Sequence, residues 1–362
     1  MKRIPLRPRT ALAIGLCVPL TVALGAGAAA AAARSAPAAR SAPATHRGQS
    51  LIPRHVYAPY FETWTSDAIT TIAQQSGARY FTLAFLETLG KTSCTLAWNG
   101  SRSQTVGAGR YLTDIVSLRD LGGDVIPSFG GWSADQGGTE IGDSCKDPAA
   151  IASAYEQVVT SYDVTRLDMD IEGRSLTRTA GIDRRNQAIA LLQDWAATHG
   201  RTVQIQYTVP TSADGLEPSG LAVLQNAVTN GVRIDVVNPM VFDYYDRVTT
   251  DMGGAAVSAS NGLHAQLHSL LPAKTPAQLW AMQGATIMNG LDDYPRRTEV
   301  TDLSDAQHLL DFATTAGMST LSMWAIQRDN GGCPGSTGAN DCSGIAQGTW
   351  DFSHALEPFT SP

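Results

Sequence analysis

The strongest constraint in this 362-residue chain is an eightfold alternation of short apolar runs with helix-like segments. The β-type runs are His55–Tyr60, Tyr80–Leu86, Asp124–Phe129, Arg166–Ile171, Val203–Val209, Asp235–Val241, Ala285–Met288 and Thr320–Ala325. Between them lie stretches of helical periodicity such as Ala68–Gln75, Arg110–Leu121, Ala149–Val159, Arg184–Ala197 and Asp305–Thr315. Gly122, Gly200 and Gly317 follow three of these where a helix C-terminus needs a left-handed residue. Eight such alternations in a single globular stretch predict an α/β fold, a (β/α)8 TIM barrel. A doubly wound sheet shows the same alternation, but no Gly-x-Gly-x-x-Gly follows the first strand to support it.

The alternation begins only after residue 50. Lys2, Arg3, Arg7 and Arg9 precede an apolar stretch and an alanine run to Ala33, the pattern of a secretory signal peptide over residues 1–33. An uncleaved membrane anchor is the rival reading of the same stretch. Residues 34–50 are rich in Ala, Pro and Ser and read as a disordered linker. Residues 51–362 then form one catalytic-size domain. The expectation is a secreted, extracellular monomer without stable membrane association once the leader is removed.

Charge narrows the partners. The chain has 26 Lys and Arg against 33 Asp and Glu, a formal net charge of −7. Loss of the leader's four positive charges takes that to −11, so nucleic acid is not an expected partner. Cys17 belongs to the leader and leaves Cys94, Cys145, Cys333 and Cys342. An even number in an exported chain predicts two disulfides, with Cys333–Cys342 as a short clip and Cys94–Cys145 as a tie between neighbouring loops. Free thiols are the alternative; a zinc site lacks both a Cys-x-x-Cys pair and a nearby histidine.

The fourth predicted strand carries the chemistry. In Arg166-Leu167-Asp168-Met169-Asp170-Ile171-Glu172, alternate side chains share a face. Asp168, Asp170 and Glu172 therefore point one way and the apolar residues the other. Inside a barrel three stacked carboxylates cannot all ionise; they share protons, and at least one pKa rises. A carboxylic acid held protonated near neutrality is what glycosidic cleavage requires of its general acid. An exposed edge strand, or a Mg²⁺ or Ca²⁺ site, would use the same pattern differently.

The segment resembles the Asp-Gly-x-x-Asp-x-Asp-x-Glu signature of glycoside hydrolase family 18, the chitinases and endo-β-N-acetylglucosaminidases. Its last three acids match. Thr165 and Arg166 stand where the leading Asp-Gly pair would be, as in a bacterial and archaeal chitinase branch with an Asp-x-Asp-Ile-Glu core. Ser128-Phe129-Gly130-Gly131 is similar to the family's Ser-x-Gly-Gly, Met240-Val241-Phe242-Asp243 to its Met-x-Tyr-Asp, and Trp324 ends the eighth strand where the family keeps a tryptophan.

The resemblance implies hydrolysis of β-1,4 bonds in chitin or N-acetylglucosamine oligosaccharides, with retention and without metal or cofactor. Glu172 would protonate the glycosidic oxygen. Asp170 would orient the N-acetyl group, whose carbonyl oxygen attacks the anomeric carbon, and Asp168 would share a proton with Asp170. Trp324 would floor the sugar site, with Met240 and Asp243 lining it. Phe242 replaces the family's tyrosine, a role Tyr244 is placed to take over; Tyr60 and Tyr207 are further candidates for hydrogen bonds to substrate. Ser128, Gly130 and Gly131 read as close packing, and Trp64, Trp98 and Trp132 as loop residues on the active face. A non-catalytic chitin-binding protein and an endo-β-N-acetylglucosaminidase acting on N-glycans share most of these features.

Overall fold

A computed structural model describes residues 52–293, 298–337 and 339–360. The expected leader and linker lie outside the described residues. Among the described residues, eight parallel strands alternate with eight helices. The first strand, β1, is in two pieces, Val56–Tyr57 and Tyr60–Glu62, and is followed by α1 at Ile69–Ser76. Next come β2 (Tyr80–Thr88), α2 (Leu112–Asp120), β3 (Asp124–Gly130) and α3 (Pro148–Tyr162). The middle of the chain supplies β4 (Arg166–Asp170), α4 (Thr179–Thr198), β5 (Gln204–Ser212) and α5 (Pro218–Thr229). The remainder is β6 (Val236–Met240), α6 (Met252–Leu270), β7 (Gly284–Met288), α7 (Leu303–Ala316), β8 (Thr320–Trp324) and α8 (Asp351–Leu356).

Each strand pairs in parallel with the next, and the ring closes through β1. Val56 and Tyr57 pair with Thr320 and Leu321 of β8, whereas Tyr60–Glu62 pair with Thr82–Ala84 of β2. The switch falls at Ala58-Pro59. Pro59 has no N–H to give to a ladder, but its carbonyl still accepts the Thr82 N–H at 2.9 Å. The predicted barrel is therefore present.

Local sequence accounts for the helices. Asp147 caps α3 with Pro148 at its first position, and Asp302 and Asp305 form a reciprocal capping box on α7. Gly317 closes α7 at φ 79°, a value that disfavours residues with a Cβ. Ile151, Tyr155, Val158 and Tyr162 put the apolar stripe of α3 against the sheet.

The main apolar core lies between strands and helices. Leu167, Met169 and Ile171 of the fourth strand face it, as alternation predicts. The barrel interior is different: Ser128, Asp168, Gln206, Thr208, Asn238 and Thr286 are all buried there and joined by hydrogen bonds. Arg166, below them, donates to Gln204 at 3.0 Å and Thr320 at 3.1 Å.

Both expected disulfides are present. Cys94–Cys145 ties the loop after β2 to the loop after β3, and Cys333–Cys342 clips the loop after β8. No helix among the described residues is long and apolar enough to cross a membrane.

Candidate active site

At the C-terminal mouth of the barrel a cavity of about 530 Å³ is lined by residues from the ends of most strands. The β4 backbone runs out beneath it and delivers the three acids in order of depth. Asp168 is fully buried among four donors: Ser128 Oγ (2.6 Å) and Tyr60 OH (2.9 Å) on one oxygen, Thr208 Oγ1 (2.6 Å) and Gln206 Nε2 (3.1 Å) on the other. Burial raises its pKa, and those hydrogen bonds offset the rise only in part. Asp170 sits one layer higher with a buried oxygen that has no donor. Burial first, then the neighbouring charges of Glu172, Asp168 and Asp135, holds its pKa well above the usual range. The environments thus separate the pair: Asp168 has four donors that favour its anion, and Asp170, without such donors on its buried oxygen, holds a proton more tightly.

Glu172 lies at the cavity wall just past the strand. Burial, and then the Asp243 carboxylate, pushes its pKa up to about 7, while a bond from the Trp132 backbone N–H opposes the rise. Its own N–H donates to Asp135, a fully buried carboxylate on the short helix Trp132–Gly137. Gly130 and Gly131 make this approach possible. At φ 99° and 81° both adopt a conformation that favours glycine. A Cβ on Gly130 would collide with the Asp170 carbonyl, and one on Gly131 would come within 2.6 Å of the Phe85 ring.

An aromatic wall lines the same cavity. Trp324 stacks on Phe85 with centroids 5.5 Å apart and planes 13° from parallel, and packs against Tyr60 at 5.6 Å. Trp64 extends the wall, 6.1 Å from Trp324. Such a flat apolar face beside hydrogen-bonding groups suits the C–H face of a pyranose ring.

Of the residues singled out from sequence, Glu172, Asp170, Trp324, Met240, Asp243 and Tyr60 line this cavity, and Asp168 supports them from below. Two tyrosines do not reach it. Tyr207 is wholly buried on the helix side of β5, where its hydroxyl donates to Asn186 of α4 at 2.7 Å. Tyr244 packs against the apolar core, and Tyr245 takes the cavity position instead. The three loop tryptophans also divide. Trp64 and Trp132 are 44% and 60% exposed at the groove, whereas Trp98 is a core residue whose indole donates to Tyr162 at 2.9 Å.

The cavity also contains groups that the sequence reading left out: Phe85, Thr208, Tyr245 and Asp293. Thr208 and Gln206 could have been found from the polar alternation Gln204, Gln206, Thr208 along one parity of the strand. Asp243, Asp292 and Glu299 bring carboxylate oxygens within 4.8 Å of one another, the one such group among the described residues that could ligate a cation. Backbone N–H groups already approach it, from Asp243 to Asp292 at 2.8 Å and from Tyr244 and Tyr245 to Glu299 at 2.7 and 2.9 Å. Asp243 Oδ1 and Asp292 Oδ1 are buried without a donor.

The model of the family described as "Glycosyl hydrolases family 18" matches residues 56–337, which holds the whole ring from β1 to β8. This chain is a member of glycosyl hydrolase family 18. It is 33% identical over 322 residues to a probable bifunctional chitinase/lysozyme of Escherichia coli (strain K12), covering 85% of this chain and 35% of that protein. It is 34% identical over 290 residues to Endochitinase 11 of Metarhizium anisopliae, covering 76% of this chain and 53% of that protein. The chain thus spans about a third to a half of the curated relatives it matches. Among solved structures, the catalytic domain of a hyperthermophilic chitinase from Pyrococcus furiosus superposes with a TM-score of 0.74 at 29% identity, covering 85% of this chain and 96% of that one.

Proposed function

We propose that this family 18 protein is a secreted chitinase that cleaves β-1,4 bonds between N-acetylglucosamine units with retention, the substrate's own N-acetyl group acting as nucleophile. The observation that carries the reading is Glu172: a carboxyl pushed to about 7, at the wall of an aromatic-lined cavity, directly above a buried acid pair. At neutral pH a group so poised holds a proton to give and is a competent base once it has given it.

Binding over Trp324 would set the glycosidic oxygen toward Glu172. Glu172 donates its proton to that oxygen as the bond to the anomeric carbon breaks. The N-acetyl carbonyl oxygen closes onto the anomeric carbon from the opposite face, and the amide takes up positive charge. Asp170 would hold that amide in place; its proton can pass to Asp168 below as charge develops, leaving an anion beside the cation. Water then attacks the anomeric carbon, gives its proton to Glu172, and reopens the ring. Two displacements at one carbon leave its configuration unchanged.

The test is Glu172→Gln assayed on N-acetylglucosamine oligomers with anomer-resolved products. The expected result is β-anomer as the first product of the parent enzyme and a loss of turnover of about a thousandfold or more in the variant. Oligomer binding by the variant should survive. Near-parental turnover by the variant, or an α-anomer as the first product, would refute the mechanism.

A further inference from the structure

A second cavity of about 530 Å³ lies behind one wall of the sugar groove. The helix Trp132–Gly137 forms that wall: Trp132, Ser133 and Ala134 face the groove, and Gln136 and Gly137 face the second cavity. The chain after β4 divides in the same way, with Glu172 on the groove side and Arg174 on the other. Between them Gly173 packs so closely on the helix that a Cβ would run into the Gln136 side chain.

The two cavities differ in charge. The groove holds Asp170, Glu172, Asp243 and Asp293; the second cavity is lined by Lys91, Lys146, Arg174, Arg178 and Arg184 against one carboxylate, Asp143. In a chain with 33 acidic and 26 basic residues, five cations around one acid is a local reversal of sign. Asp143 pairs with one of the five, Arg178, at 2.8 Å, and the same oxygen also accepts from Ser175 at 2.6 Å. Arg184 is anchored on the Gly142 carbonyl at 2.8 and 3.0 Å, and Lys146 on that of Asp143. The side chains of Lys91 and Arg174 are exposed and make no hydrogen bond or ion pair among the described residues. The first turn of α4 adds its dipole: Thr179, Ala180 and Gly181 line the cavity, and no side chain caps them.

We propose that this pocket binds carboxylate groups carried by an amino-sugar polymer whose backbone lies in the adjoining groove. In the groove an acidic glycan finds carboxyl groups and, among the described lining residues, no Lys or Arg to pair with its charge. One wall away it meets two unengaged cations and a helix N-terminus. The inference rests on the proposed sugar-binding groove, and it adds a preference for acidic over neutral polymers.

The experiment compares carboxymethyl chitin with neutral glycol chitin, for the parent enzyme and for Lys91→Gln/Arg174→Gln, at low and high salt. The parent should show a KM roughly fivefold lower for the carboxymethyl polymer at low ionic strength, the two values converging as salt screens the contact. The double variant should lose that preference and keep its kcat on glycol chitin. Binding of carboxymethyl chitin to Glu172→Gln, with and without the two substitutions, supplies the same comparison without turnover. Hydrolysis of both polymers with equal KM at low salt would overturn this inference alone, whereas failure to cleave glycol chitin would overturn the groove reading. Tight binding of inorganic phosphate that leaves the polymer preference untouched would assign the pocket to a free oxyanion and refute the glycan proposal.

Discussion

Replacing Asp243 by Asn should move the alkaline edge of activity toward acid. Burial is the largest cause of the rise of the Glu172 pKa from 4.5 to about 7, and the Asp243 charge is the next. That rise amounts to about 3.4 kcal/mol at ~1.36 kcal/mol per pH unit. As the second cause, Asp243 contributes less than burial does, so its removal should reverse part of that rise and leave most of the burial effect in place. The sign follows from charge. Without an anion beside it, Glu172 ionises more readily and surrenders its proton at lower pH, so the general acid is lost earlier on the alkaline side. Asp243 is itself pushed up to about 7 by burial and by Asp293. The parent should therefore show a broad edge near pH 7, from two carboxyls titrating as a pair, and the variant a single sharper one. The assay is kcat/KM against pH on unmodified N-acetylglucosamine oligomers, followed by reducing-end release. A nitrophenyl leaving group departs without a proton and would hide the effect. An edge that stays in place or moves upward would refute the coupling between these carboxyls.

Two further outcomes test the parts beneath the site. Ser128→Ala removes one of the two donors to an oxygen of Asp168, which makes Asp168 more basic and draws the proton down from Asp170; kcat should fall roughly tenfold or more with KM little changed, and an unaltered kcat in a folded variant would show that this donor is dispensable. Replacing Cys94 and Cys145 by Ala opens a tie between residues 51 apart and should cost about 4 kcal/mol, against about 2.5 kcal/mol for the Cys333–Cys342 clip; denaturant unfolding of the two double variants reads the difference directly.

What could be read from the chain, and what could not, follows from how far each signal reaches. The β4 acids were legible because a charged period of two in a parallel strand has no comfortable place except a functional interior. The barrel itself was legible because its repeat is local, one strand and one helix at a time. Alternation also contained the answer for Tyr207, which has the opposite parity from Gln206 and Thr208 and so must face the helices. For Tyr244 it contained none: the chain leaves the strand at Met240, and Asp243 and Tyr245 take φ values of 50° and 54°, so the period of two has already ended. Asp135 was beyond reach for a different reason. Its place under Glu172 depends on the turn of a six-residue helix and on two glycines that let it approach, and nothing adjacent in sequence marks it.

The hydrogen-bonded centre of this barrel reverses the ordinary map of tolerance. Between strands and helices, one aliphatic group can replace another of similar bulk with modest loss, as oily layers repack. Along the axis, swapping a threonine for an equally large valine preserves shape yet strands a neighbour's lone pair away from water. Attempts to harden this scaffold against heat should therefore work from its outer shell, and leave the axial column of hydroxyls and amides untouched.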